Sequence, residues 1–195
     1  MERIKLEIKR QPFHILVGLL LIAFLYHGLL TPMAILIAAL VVMAGSVYVR
    51  KAKPKAIWRL LEHIEREDAL REFPGKGLIA YLIGAFLVVV LFEKEIALAS
   101  IMILALGDSF SRLVGPFGRI RHPFNNTKFV EGVIAGMVAA SLGAMLFVSP
   151  SEAIVASFFA MLLEGIDLKI LNLKVDDNLT IPLVAGAVIW AVRLL

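Results

Sequence analysis

The stretch Gly107-Asp108-Ser109-Phe110-Ser111-Arg112 continues an apolar run, Ile96 to Leu106, that reads as a membrane segment. An ionised carboxylate in hydrocarbon is costly, so such residues are rare and face partners, ions or water. Further acids stand at the ends or in the interior of later apolar segments: Glu131, Glu164 and the pair Asp176-Asp177. Set beside Arg112, Lys128 and glycine-rich turns, they suggest a polar chamber for Mg²⁺ and phosphate. Carboxylates such as Asp108 and Glu131 offer the hard oxygens that octahedral Mg²⁺ takes while it bridges to nucleotide phosphates. Asp108 and Arg112 lie i,i+4 on one helix face and can pair.

The basic partners follow closely. Gly115-Pro116 ends that helix, and Gly118, Arg119, Arg121 and His122 make a basic loop. Asn125-Asn126-Thr127 are N-cap candidates for the next helix, with Lys128 in its first turn and Glu131 a turn further. A helix N-terminus with free N–H groups and a positive dipole end suits phosphate, with Lys128 as a point charge. The plainer reading makes Asp108–Arg112 and Lys128–Glu131 simple local ion pairs. In a second cluster Glu164 and Asp167 share a helix face, and Asp176-Asp177-Asn178 precede the last helix. One Asp is an ordinary cap, but two adjacent acids plus Asn exceed what one cap needs. With Asp108 and Glu131 they could supply a metal site and a general base for a hydroxyl.

The elements that must position these residues are membrane helices. The chain has 195 residues, 60% hydrophobic and 18% charged, with mean hydropathy +0.89. Apolar runs recur along its whole length, predicting an all-α, polytopic transmembrane bundle of about seven spans without a separate soluble domain. The segments are roughly Phe13–Leu30, Pro32–Val49, Gly77–Phe92, Glu95–Leu106 running on towards Val114, Phe129–Val148, Ser151–Leu171 and Leu179–Leu194. Turn residues separate them at Thr31-Pro32, Pro74-Gly75 and Ser149-Pro150. Neither strand alternation nor an internal repeat stands out. The connector from Arg50 to Lys76 carries Trp58, Leu61, Ile64 and Leu70 at helical spacing, as in an amphipathic helix on an anionic leaflet or a solvated linker.

All of the 20 Lys and Arg residues except Lys94 and Arg193 fall on the side of the N-terminus, which predicts N-inside topology and a site open to the cytoplasm. The charged N-terminus and the lack of a cleavage signal favour a retained first helix. With no cysteine, disulfides and thiolate chemistry are excluded. The four histidines lack metal-ligand spacing, and only His14, at the start of the first span, is placed to touch phosphate.

The pattern Gly107-Asp108, Gly115…Gly118-Arg119, Thr127-Lys128-Phe129-Val130-Glu131-Gly132 and Asp176-Asp177-Asn178-Leu179-Thr180-Ile181-Pro182 resembles the dolichol/phytol kinase family of CTP-dependent membrane lipid-alcohol kinases. Arg10…His14 is similar to that family's N-terminal basic-plus-His signature. The Asp-Asp-Asn-Leu-Thr-Ile-Pro run is the most specific element, since Gly-Asp and Lys…Glu-Gly also occur in CDP-diacylglycerol and CDP-archaeol synthases. The resemblance implies nucleotide- and metal-binding roles for Asp108, Lys128, Glu131, Glu164, Asp176, Asp177 and Asn178. The expectation is a kinase that moves the γ-phosphate of CTP, or of ATP, to a polyprenol or other lipid alcohol with Mg²⁺. Lys128, Arg119 and Arg121, with Asn126 and Asn178, would hold the nucleotide, and Asp108, Glu131 and Asp176 the metal. Asp177 or Glu164 would orient or deprotonate the alcohol, with Asp108 also catalytic. The expected setting is a prokaryotic plasma membrane, with no nucleic-acid partner and a homodimer left open. A CDP-lipid synthase and a cation-coupled transporter are the rival readings.

Overall fold

A computed structural model describes residues 2–65, 70, 72–166, 169–170 and 173–195. The chain is mostly helical: α1 (Glu2–Tyr26), α2 (Pro32–Ala52), α3 (Lys55–Ile64), α4 (Lys76–Leu91), α5 (Lys94–Ile103), α6 (Ser109–Val114), α7 (Val130–Ala144), α8 (Pro150–Glu164) and α9 (Asp177–Arg193). A π-helical turn, Leu104–Asp108, joins α5 to α6, and a 3₁₀ turn, Gly115–Phe117, closes the run. Two small antiparallel hairpins interrupt the helical order: β1 (Arg121–His122) with β2 (Asn125–Phe129), and β3 (Lys169–Ile170) with β4 (Leu173–Lys174). These short pairings carry no alternation long enough to be read in sequence.

Among the described residues, three helices are long and apolar enough to cross a membrane: Leu6–Tyr26 within α1, Pro32–Ala52, and the continuous run Lys94–Phe117. The full-length helices are thus fewer than the seven spans expected. α4, α7, α8 and α9 have 16, 15, 15 and 17 residues, short of the roughly 20 that cross a 30 Å core without thinning or tilt. The hydropathy windows had absorbed turn residues. Met145–Val148 leave the helix after α7, and α8 stops at Glu164 rather than reaching Leu171.

Local chemistry sets several boundaries. Thr31 caps α2 through Ala34 N–H, with Pro32 in the first turn, where its missing donor is harmless. Lys53, in the left-handed region at φ 43°, and Pro54 break α2 from α3. Ser149 and Glu152 form a reciprocal capping box at α8. Asp176 caps α9 by accepting from Asn178 N–H.

Lys94–Phe117 is the central element. Of its hydrophobic window 78% is buried, against 28% in α1 and 22% in α2. Helix α7 lies against it through glycines: a Cβ on Gly132 would meet Ser111 O at 2.7 Å and Gly115 Cα at 2.8 Å, and one on Gly136 would meet Gly107 O at 2.6 Å. At one end of the helices, Lys94 Nζ donates to Tyr26 O at 2.8 Å. There too Arg193 reaches Glu152 at 2.6 Å and Glu93 at 3.2 Å. At the other end lie Lys128, Glu164 and Asp177.

Candidate functional site

Asp108 closes the π turn and is 1% exposed. An extra residue in a helical turn redirects the side chains that follow, and such turns recur at functional sites. Gly107 gives the necessary room, since a Cβ there would meet Met161 Sδ at 2.6 Å. Arg112, one turn on, donates from Nε to Asp108 Oδ1 at 2.7 Å, so the pair read from i,i+4 spacing is formed. The same guanidinium also reaches Asp177 Oδ2 at 3.2 Å.

Lys128 approaches from a different direction than the sequence indicated. Asn125–Phe129 form strand β2 rather than a cap and first turn, and α7 begins only at Val130. Asn125 Oδ1 accepts from Thr127 N–H at 3.0 Å and from its hydroxyl at 2.7 Å, folding the segment locally before any helix can start. From the strand Lys128 Nζ extends to Glu164 Oε1 at 2.7 Å, to Asp177 Oδ2 at 3.4 Å and to the Glu164 carbonyl. Burial alone would lower the Lys128 pKa, but the attraction of Glu164 and Asp177 outweighs it and holds the ammonium above the ordinary lysine value. Ser111 donates to Glu164 Oε2 at 3.3 Å.

One carboxylate oxygen each from Asp108, Glu164 and Asp177 lie within 4.8 Å of one another. Three acids thus face two cations, Arg112 and Lys128, in a largely buried space assembled from four separate segments. Single carboxylates here would be prohibitively costly; the paired network is tolerable because each charge has a hydrogen-bonded counter-charge.

His14 borders this cluster. Its Nε2 lies 2.8 Å from Asn178 Oδ1 and 3.7 Å from Asp108 Oδ2, and its Nδ1 lies 3.3 Å from Ser109 Oγ. Asn178 Nδ2 donates to Gly77 O at 3.2 Å, which fixes the amide so that its oxygen faces the ring. His14 is therefore assigned the Nε2–H tautomer, with Nδ1 accepting from Ser109. The ring packs edge-on against Tyr81, centroids 4.7 Å apart.

Other expected residues stand elsewhere. Glu131 is not brought to the acids; its carboxylate accepts from Arg119 N–H at 2.7 Å and Ile120 N–H at 3.1 Å, tying down the loop before β1. Neither is Glu131 paired with Lys128, whose charge is engaged by Glu164 and Asp177. Asp176 is engaged as the α9 cap, so of the adjacent acids it is Asp177 that joins the cluster. Arg119 and Arg121 are exposed. The Asn126 side chain and Asp167 lie outside the described residues. His122 is buried against Gly165, whose added Cβ would meet its ring at 2.6 Å. Burial, then the Lys128 charge, lower its pKa. Sequence reasoning passed over Ser109, Ser111 and Tyr81; only the positions of the two serines, one and three residues past Asp108, signalled them.

A cavity of about 380 Å³ lies among α1, α2, α3 and α4, with His14 in its lining. Its lining includes Phe13, Val17, Val42, Ile57, Leu61 and Tyr81.

No family model matches the chain, and no solved structure does. The uncharacterized protein MJ1137 of Methanocaldococcus jannaschii is similar, 28% identical over 126 residues that cover 64% of this chain and 60% of that protein. The chain therefore spans less than two thirds of the length of the curated relative it matches.

Proposed function

We propose that this chain is a membrane phosphotransferase of the dolichol/phytol kinase type, which moves the γ-phosphate of CTP to the hydroxyl of a lipid alcohol. In this reading α4, α7, α8 and α9 cross the bilayer along with the three full-length helices, giving seven spans, N-terminus inside, with the acidic cluster near the cytoplasmic face. The observation that carries the reading is the convergence of Asp108, Glu164, Asp177, Arg112 and Lys128 within hydrogen-bonding reach of one another. A purely structural membrane helix has no use for five such charges.

The donor set suits Mg²⁺: three hard carboxylate oxygens without sulfur or imidazole. Asp108, Glu164 and Asp177 would hold the ion, which neutralises charge on the β- and γ-phosphates. Arg112 and Lys128 then turn from the carboxylates to the phosphate oxygens, Arg112 by its planar fork and Lys128 as a point charge. The alcohol oxygen bonds to the γ-phosphorus, and the bridge to the β-phosphate breaks with its electron pair leaving on CDP. The hydroxyl proton passes to Asp177, the most accessible of the three acids. Asn178 orients His14 beside Asp108, and exposed Arg119 and Arg121 draw in the anionic nucleotide.

The test is label transfer in nanodiscs with Mg²⁺, γ-labelled CTP or ATP and a panel of single- and two-chain lipid alcohols. Label entering the lipid phase with matching CDP is expected, and Asp108→Asn lowers the rate at least about 100-fold while the protein stays folded by circular dichroism. CDP-lipid formation from α-labelled CTP and phosphorylated lipid would instead make this a cytidylyltransferase. A blank in both assays overturns the enzymatic reading.

A further inference from the structure

The cavity among α1, α2, α3 and α4 shares one residue, His14, with the charged cluster. Its wall is apolar over most of its extent: Phe13 and Val17 from α1, Val42 and Val49 from α2, Ile57 and Leu61 from α3, Leu78 from α4. Polar side chains in its lining come from Arg10, His14, Ser46, Glu65 and Tyr81. Two of these hold buried atoms without a hydrogen-bond partner among the described residues, the Tyr81 hydroxyl and Glu65 Oε2. Tyr81 is 1% exposed, and its hydroxyl lies against Gly18 and Ala105, shut off from bulk water. A buried, unsatisfied hydroxyl is costly unless something supplies the missing bond. Of the lining residues, Phe13 on α1, Ile57 on α3 and Leu78 on α4 are exposed, so the cavity opens to the surface beside these helices.

Size narrows the occupant. Small-molecule sites run from roughly 300 to 1,000 Å³, and 380 Å³ lies near the lower end. A methylene occupies about the 30 Å³ share of a liquid water, so the cavity takes about a dozen chain carbons. That is the head-proximal part of one hydrocarbon chain, with the remainder leaving past the rim. Shared between two acyl chains side by side, the same volume leaves room for only about six carbons of each.

Resting on the phosphotransfer reading, we propose that this cavity is the acceptor's tail slot, that it selects single-chain alcohols over diacylglycerols, and that Val42 and Gly45 set its depth. The tail then fills the cavity while the hydroxyl passes the edge of the His14 ring to the acids, where Asp177 takes its proton. α3 serves as the slot's outer wall rather than as a bare surface anchor. Its end is tied to the start of α4 by Gly75 N–H donating to Glu65 Oε1 at 2.6 Å. A Cβ on Gly45 meets nothing within 4 Å, so a larger side chain there fills the slot without displacing backbone.

The test uses the full chain in nanodiscs with a single-chain C20 alcohol bearing a mid-chain diazirine, photolysed and mapped by mass spectrometry. Expected are cross-links to α1, α2, α3 or α4 lining residues, competed at least tenfold better by unlabelled single-chain alcohol than by diacylglycerol. Val42→Trp and Gly45→Phe each lower slot labelling at least fivefold and raise KM for the long alcohol, while CTP binding is unchanged. If either variant misfolds, the other carries the test. Phosphorylation of the alcohol with cross-links elsewhere, or with equal competition by diacylglycerol, overturns the slot and leaves the kinase standing. Slot cross-links with the expected competition but no phosphorylation uphold the slot and overturn the kinase.

Discussion

Among the individual residues, Lys128 is the most consequential. It reaches the acids from a strand and carries two ion pairs at once. Replacing it by Met leaves Glu164, 1% exposed, facing no cation at hydrogen-bonding distance among the described residues. Breaking a fully buried pair costs roughly 3–5 kcal/mol. Because Lys128 is partly accessible and Arg112 still serves Asp177, the expected loss is about 2 kcal/mol, read as a lowered Tm in detergent. The pH dependence of that difference has a definite sign. A lysine whose folded pKa is raised gives stability that is complete below the unfolded value and lost as pH rises through the folded one. The gap between wild type and Lys128→Met is therefore flat from about pH 6 to 9 and shrinks above about pH 10.5. A gap that shrank on acidification instead would mean that the acids, not the lysine, dominate. Lys128→Arg keeps most of the stability.

The elements are held in place by close backbone approach. Gly132 and Gly136 let α7 lie against the Lys94–Phe117 run so tightly that a methyl would strike backbone atoms. Gly132→Ala therefore has no flexible neighbour to push aside, and overpacking at this contact costs about 2–3 kcal/mol. It also shifts α6, and with it Arg112 and Ser111, so under the proposed function phosphotransfer falls with stability. Gly45→Ala is the control: it sits in α2 with open space around its Cβ, and the better helix propensity of Ala makes it neutral to stabilising by up to about 1 kcal/mol. Thermal unfolding of the two variants side by side separates packing from propensity; equal shifts would refute the close-approach account.

For the whole molecule, the lack of cysteine makes topology directly measurable. Glu72 and Leu146 are both exposed. They adjoin opposite ends of the helices: Glu72 precedes α4, and Leu146 follows α7. Single cysteines at the two positions should react with a membrane-impermeant maleimide from opposite sides of oriented vesicles, Glu72→Cys from the cytoplasmic side. Labelling of both from one side would discard the seven-span arrangement, and labelling of Glu72→Cys from the outer side would discard the N-inside topology. Under the proposed seven-span arrangement, helices of 15–17 residues would call for a locally thin bilayer or flanking residues that snorkel, at modest cost per ångström of mismatch.

The sequence by itself determined that this is a largely helical, membrane-type chain, because a 3.6-residue turn and a solvent without hydrogen bonds leave long apolar runs no other backbone to adopt. It also determined the Asp108–Arg112 pair, which depends only on neighbours within one turn. The tertiary structure decided what depends on residues far apart in the chain. It selected Asp177 over Asp176 and Glu164 over Glu131, and it brought His14 to Asn178 across 164 positions. It turned the expected cap at Asn125–Thr127 into a strand, because a local side-chain turn and pairing with β1 compete with helix initiation there. It made Glu131 a loop anchor, since two backbone N–H groups without helical partners lay within its reach. Periodicity reports the face on which a residue sits; only packing reports which other face it meets.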